Sequence, residues 1–598
     1  MQHRENVRRI HLIMKKAISL ILCVIMLAGV LAGCTTLEPD DKGAVINAYL
    51  TTQVYDFDPA IGFNDDAAVK IFGLIYEGLT RINENGKVEK ALAKDVKIVE
   101  KDGEFKMQIT LNSTKWSDGR AVQANDIVFA WKRILDPDFA NDASVLLYDI
   151  KNARAVKTGD ATVDDLGIAA IDTYVLEIEF EEKIDTDLFL ETLASPALVP
   201  LREDIVVKNV NWAKKSSTMA TNGPFMVKSV EYGIRLTLER SSYYYLDSEK
   251  DEALDKYVIP YRININYGES PEVQLDAMLT KGHKDPAFVF YMGEIPLSQR
   301  DAQKGNAEIT DFLNAHTYYF NTENALFAKP EVRRALSMAI DRNEVVNIVK
   351  FATPATGLIT NGVFDGNTKT YFREVGGAIL SPTADVAGAK SLLSSAGVTS
   401  GSFSLKIRPN EVDRAIADYV AGVWNSLGFT VTVETIQPSG VTEDTSIYND
   451  RFTTMLASGD FDVIGIDMQM LATDAFGNLA SFATPFSGNG VDMSNENYEL
   501  IPHITGYSSE AYDALIESAF AEKDRAARVA ILHDAEKMLL NDMPVTPIIF
   551  HQDAYIYRSE LSGIKSTYYG ARNFKKMVLK DYIQYKDDVA TDTAAPAS

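Results

Sequence analysis

Only two cysteines occur in the 598-residue chain, Cys23 and Cys34, and both belong to one N-terminal segment. Everything after Cys34, about 560 residues, must fold without disulfides, thiolate metal ligands or cysteine nucleophiles. The N-terminal segment has its own pattern. Lys15 and Lys16 precede an apolar run from Ala17 to Gly33 that closes on Leu31-Ala32-Gly33-Cys34. A cationic start, an apolar stretch of roughly 17 residues and a small-residue cut point describe an export signal. Residues 1–33 are thus the expected leader, and Met14-Lys15-Lys16 marks Met14 as an alternative start.

The residue after the cut is Cys34, and the pattern resembles the lipobox of bacterial lipoproteins. That resemblance implies a diacylglyceryl group on the Cys34 thiol and attachment to the outer face of the cell membrane through lipid alone. Small residues let the chain extend through a peptidase cleft, and only a thiol supplies the nucleophile to be alkylated.

Composition fits a large globular body, with 46% hydrophobic and 24% charged residues. Its length calls for two or three lobes. Net charge is −25, and the leader takes Arg4, Arg8, Arg9, Lys15 and Lys16 with it, so the body is more acidic still. Such a surface repels phosphate backbones and anionic lipid, which argues against nucleic acid as a partner.

Along the body, Lys106–Leu111 and Tyr174–Phe180 alternate apolar and polar residues as half-buried strands do. Amphipathic helices are expected around Ala67–Leu79, from Gln123 to the stop at Asp136-Pro137, and after Pro330, which suits a first helical turn. Helix and strand then alternate through Lys390–Ala396, Phe403–Ile407, Arg414–Leu427 and Phe429–Thr435, and two helices close the pattern near Ser509–Glu522 and Asp524–Leu540. No internal repeat is visible, and the tail from 589 to 598 reads as disordered. The alternation predicts an α/β protein with sheets covered by helices.

Several blocks together resemble the extracellular solute-binding proteins of oligopeptide and dipeptide ABC transporters, family 5. They are Ile75-Tyr76-Glu77-Gly78-Leu79, the stretch from Lys115-Trp116-Ser117-Asp118-Gly119 to Trp131-Lys132-Arg133, Asn222-Gly223-Pro224-Phe225, Tyr319-Phe320-Asn321-Thr322, and Val332 to Arg342. They span nearly the whole body. Trp116 and Trp131 are expected to fix a turn and a core, and Arg333, Arg334, Asp341 and Arg342 to form a solvated helix face and a helix end. The resemblance implies a three-lobed periplasmic-binding-protein-like fold that closes on ligand about a hinge. Lobe I would comprise 34–79, 196–317 and 550–588, lobe II the insertion 80–195, and lobe III residues 318–549. It also implies a monomer that hands peptides to an ABC permease.

No zincin, nucleophile-elbow, P-loop or dinucleotide motif is present, so neither an enzyme nor a cofactor is expected. His283, His316, His503, His533 and His551 are not paired at ligand spacing and read as surface or packed residues rather than metal ligands. Peptide capture instead needs a carboxylate for the α-ammonium, because a desolvated charge without a partner is costly. In the family this aspartate follows a Phe-Asp-Val strand, here Phe461-Asp462-Val463. The resemblance, allowing a short insertion, places Asp474 there, with Phe476 in the helix after it and Asp467 as the competitor. Asp474 also suits a helix N-cap. The family's N-terminal contact falls near Phe63, Asn64 and Asp65. The absent tryptophan of the family motif and the nearby Met468 and Met470 imply a pocket of different shape. Another solute (a nickel chelate, haem, a sugar or a signalling peptide) is the alternative ligand, and a secreted hydrolase is the alternative class.

Overall fold

Two antiparallel strands of 13 residues each, Glu308–Phe320 and Val545–Tyr557, carry the architecture. The first is buried continuously from Phe312 onward, as a strand covered on both faces must be. Their pairing is broken twice along its length, between Asp311 and Ala315 and again between His316 and Thr317. Glu308–Asp311 pair with Gln552–Tyr555, the register shifts before Ala315, and Ala315–Tyr319 then pair with Val545–Phe550.

The computed structural model describes residues 42–582 apart from 64, 84, 246–255, 281–287, 442–443, 493, 495–498, 569 and 571. The leader, Cys34, Asn64 and the 589–598 tail therefore lie outside the described residues. Around the central pair the sheet grows to eleven strands, counting Ala352–Pro354, which pairs with Val545–Tyr557 off the main path. On one side follow Val463–Gln469, Gly401–Ile407 and Phe429–Thr435; on the other follow Phe288–Tyr291, Val45–Tyr49, Arg262–Asn266, Arg235–Arg240 and Phe225–Glu231. Gly401–Ile407 runs parallel to both of its neighbours, and so does Val45–Tyr49, while the remaining pairs of this path are antiparallel.

The expected half-buried strands belong to a second, wholly antiparallel sheet ordered Ala93–Lys101, Glu104–Leu111, Val175–Phe180, Ile168–Asp172. Phe105, Met107, Ile109 and Leu111 alternate inward against Leu176, Ile178 and Phe180. Helix Ala124–Leu135 packs on this sheet. Asp126 accepts from the Gln123 backbone and from Trp116 Nε1, both at 2.9 Å, so one carboxylate ties the helix start to the buried tryptophan. Trp131 is also fully buried and donates to the Leu198 carbonyl at 3.0 Å. The closing helices are Glu510–Ala521 and Arg525–Asp542, each capped by the side chain before it, Ser509 and Asp524.

Asp341 and Arg342 do mark a helix end, with Asp341 capping Arg342–Val349, but one expectation fails. Arg333 is buried rather than solvated, and its guanidinium donates to the carbonyls of Phe327, Asp542 and Met543. Arg342 is buried too, donating to the Pro547 carbonyl at 2.9 Å and to Ser337 and Thr546 hydroxyls at 3.0 and 3.1 Å. Five N–H donors in a rigid fork let arginine satisfy carbonyls where helix and strand ends meet, so these charges tie elements together. Among the described residues no helix is long and apolar enough to cross a membrane.

Candidate functional site

A cavity of about 650 Å³ opens where segments from distant parts of the chain face each other. Tyr55, Asp56, Ala60–Phe63, Asp65, Ala140–Asp142 and Lys214 line one side. Arg408, Asn449, Asp450, Phe452–Thr454, Leu456–Ser458, Ile466–Met468, Leu471 and His503 line the other. Contacts bridge the two sides around the rim: Lys214 to Asn449 at 2.9 Å, the Asn141 amide to the Gly488 carbonyl at 3.1 Å, and Arg525 to both oxygens of Glu191 at 3.0 and 2.8 Å.

Each charged side chain in the cleft is fixed by the local structure around it. Asp65 is the N-cap of helix Asp66–Ile75 and accepts from the Ala68 amide at 2.8 Å. Asp450 caps helix Arg451–Ser458, accepting from the Phe452 amide at 3.0 Å and from Thr453 Oγ1 at 2.6 Å. Arg408, just past strand Gly401–Ile407, donates to Asp450 at 2.8 Å, lies 3.8 Å from Asp65, and stacks 4.3 Å above the Phe452 ring. Burial opposes its charge, and Asp450 and Asp65 overcome that and hold it cationic. Burial also pushes the Asp65 carboxyl up; at Asp450 the same push is reversed by Arg408 and the hydroxyl and amide bonds. Asp56 is raised to about 7, by burial first and by the neighbouring Asp58 charge second. Its side chain is still 29% exposed to the cavity, so water tempers that push. His503, with its ring against Phe482 at 4.1 Å and tilted by 35°, is lowered to about 3 by burial and presents a neutral ring.

Asp56, Asp65, Asp142, Asp450 and Asp467 line the cleft against the cations Lys214 and Arg408. The lining therefore favours a cationic group, while Phe63, Phe452, Ile466, Met468 and Leu471 supply apolar wall. A second cavity of about 530 Å³ lies by Tyr76, Glu77, Arg81, Arg572 and Lys575. There Glu77 is already bonded to Arg81 at 3.1 Å and Tyr245 at 2.7 Å, and none of the residues expected to bind ligand is present.

Of the residues expected to bind ligand, Phe63, Asp65 and Asp467 come together in the large cleft. Asp474 and Phe476 do not line it. Asp474 forms an ion pair with Arg528, and its other oxygen accepts from the Phe476 amide at 3.1 Å. The Phe476 ring packs between Phe486 and Phe520, with Arg528 over its face. In this stretch Leu471, not Asp474, reaches the cleft.

Asp467 sits on Val463–Gln469 directly opposite His316. His316 Nδ1 and His551 Nε2 both donate to the same oxygen, Oδ1, at 2.8 and 2.9 Å. Burial alone would raise this carboxyl, and His551 with His316 drives it well below the usual range. Arg408, Asp450, Asp56 and Lys214 carry no sequence motif; only the helix-capping place of Asp450 hints at a fixed position.

Comparison with known proteins places these features. The family model described as bacterial extracellular solute-binding proteins, family 5, matches residues 87–490. The dipeptide-binding protein DppE of Bacillus subtilis is 27% identical over 522 residues, covering 85% of this chain and 87% of the relative. The oligopeptide-binding protein OppA of the same organism is 26% identical over 576 residues, covering 92% and 97%. A solved structure of Listeria monocytogenes OppA bound to peptide superimposes with a TM-score of 0.74 at 21% identity, over 90% of this chain and 99% of that one, which shows a shared fold. With its mixed α/β architecture and enclosed cleft, the chain belongs to the bacterial extracellular solute-binding proteins of family 5.

Proposed function

We propose that the protein captures peptides in the cleft lined by Phe63, Asp65 and Asp467 and delivers them to the permease of an ABC importer. The single observation that carries this reading is the cleft itself: about 650 Å³, acidic overall, with apolar wall between fixed charges. An α-ammonium finds carboxylates there, and side chains find roomy, hydratable space. The names of DppE and OppA point to the same ligand class. Binding proceeds without turnover. Closure takes place between lobe I (34–79, 196–317, 550–588) and lobe III (318–549), with lobe II (80–195) as a rim, and the register break between Asp311 and Ala315 supports a flexing point near that crossing. Lipid on Cys34 holds the receptor, as a monomer, at the outer face of the membrane.

Calorimetric titration with short peptides, free and N-acetylated, tests the reading. Saturable binding of the free peptides and a loss of ten-fold or more on acetylation are expected, since a charge-assisted bond is lost. Equal binding of the acetylated series would remove the ammonium from the recognition scheme, and cleavage of the peptides would remove the receptor role.

A further inference from the structure

We propose that His316, Asp467 and His551 form a binding site for a divalent transition-metal ion of the zinc class, which shares Asp467 with the proposed peptide cleft. The three side chains come from three adjacent strands, Glu308–Phe320, Val463–Gln469 and Val545–Tyr557, and converge at one point of the sheet. One ligand atom from each lies within 4.8 Å of the other two. The rings stand nearly perpendicular, at 84°, with centroids 6.1 Å apart, so both nitrogens reach one oxygen without stacking.

A fourth donor is at hand. Asp413, buried in the first turn of helix Glu411–Ser426, holds its Oδ1 3.8 Å from His316 Nδ1. Two imidazoles with two carboxylates make a set that zinc accepts in tetrahedral geometry. Imidazole donors select zinc, copper or nickel over calcium and magnesium. Zinc bonds of about 2.0–2.2 Å place ligand atoms about 3.3 Å apart. The present 2.8 and 2.9 Å separations therefore need only about half an ångström of expansion.

The surroundings suit a cation as well. His316 is fully buried, and its Nε2 has no hydrogen-bond partner, so its fixed polar attachment is the one at Nδ1. An imidazole buried in a sheet interior is costly relative to an apolar side chain unless something uses it. A small cavity of about 30 Å³, lined by His551 and Glu294, is large enough for a water beside the cluster. Asp467 faces the large cleft, which gives a hydrated ion a way in. His316 stands between the two register shifts of the long strand pair, with Asp467 opposite it on the next strand, so a bound ion would pin three strands where that pairing is least regular.

The test is titration of chelator-stripped full-length protein with Zn²⁺, followed by calorimetry and thermal melting, with Mg²⁺ as control. The expected result is one saturable Zn²⁺ site that raises the melting temperature, with no response to Mg²⁺. Co²⁺ at the same site should show visible absorption bands of nitrogen-ligated, four-coordinate metal. His551→Gln, at the edge of the cluster, should weaken Zn²⁺ binding by about ten-fold or more while circular dichroism stays native. Asp413→Asn, a second variant, should also weaken it. Absence of saturable binding to the folded parent would overturn the proposal and leave a hydrogen-bonded triad only. So would undiminished binding in folded His551→Gln, or equal binding of Mg²⁺.

Discussion

Asp65 and Asp450 cap two different helices on opposite sides of the cleft and meet at one guanidinium, that of Arg408. The arginine thereby links local helix starts to the closed arrangement of the cleft. Replacing it leaves two capping carboxylates facing each other with no cation between them. Arg408→Ala should cost about 2 kcal/mol of stability, less than a fully buried pair because these groups are partly hydrated. Urea denaturation of the unliganded protein measures this.

Asp474 should behave as a structural residue. Asp474→Ala breaks the ion pair with Arg528 and the bond to the Phe476 amide, both away from the cleft. A stability loss of about 1–3 kcal/mol is expected, with peptide affinity unchanged within about two-fold. Melting curves and calorimetric titration, run on the same sample, separate the two quantities.

Asp467 and Asp65 should carry the affinity instead. In metal-stripped protein, Asp467→Asn or Asp65→Asn should weaken free peptides by about 2–5 kcal/mol if the residue faces the ammonium. N-acetylated peptides should lose little further. If neither substitution moves the affinity of free peptides, the ammonium lies elsewhere in the cleft.

Asp56 makes stability depend on pH with a definite sign. Its carboxyl sits at about 7 in the folded protein, against about 4 for an unfolded carboxylate. Between those values the folded state holds the extra proton, so this group's contribution to stability falls as pH rises from about 4 to about 7 and is level above. Asp56→Asn should flatten that segment of the profile. The check is the difference in unfolding free energy between parent and variant at pH 4.5 and pH 8.

Cys34→Ser should release the protein from the membrane fraction or leave its leader uncut, because stable anchoring needs two or more acyl chains on the processed N-terminus. Mass spectrometry of the membrane-associated parent should find the modified Cys34 at the first position.

Local pattern made much of the fold readable. Alternation located the strands Glu104–Leu111 and Val175–Phe180, and Pro330, Ser509 and Asp524 marked helix starts that the structure places within a residue. Long-range geometry was not readable in the same way. Arg333 and Arg342 look like surface charges in a helix pattern, yet they reach carbonyls contributed by residues some two hundred positions away. Counting along a motif points to Asp474, but such a count does not fix where the loop after Val463–Gln469 aims its side chains, and this carboxylate pairs with Arg528 instead. His316, Asp467 and His551 lie in three separate segments, and only strand pairing puts them side by side.

The Glu191–Arg525 pair has a bearing on timing. It joins a helix that follows the small sheet to the last long helix, away from the cleft wall itself. A contact that forms only as the two sides meet adds nothing to the speed at which peptide diffuses in, but it must break before peptide can leave. On the proposed closure, its strength enters the residence time of the bound ligand and with it the interval available for delivery.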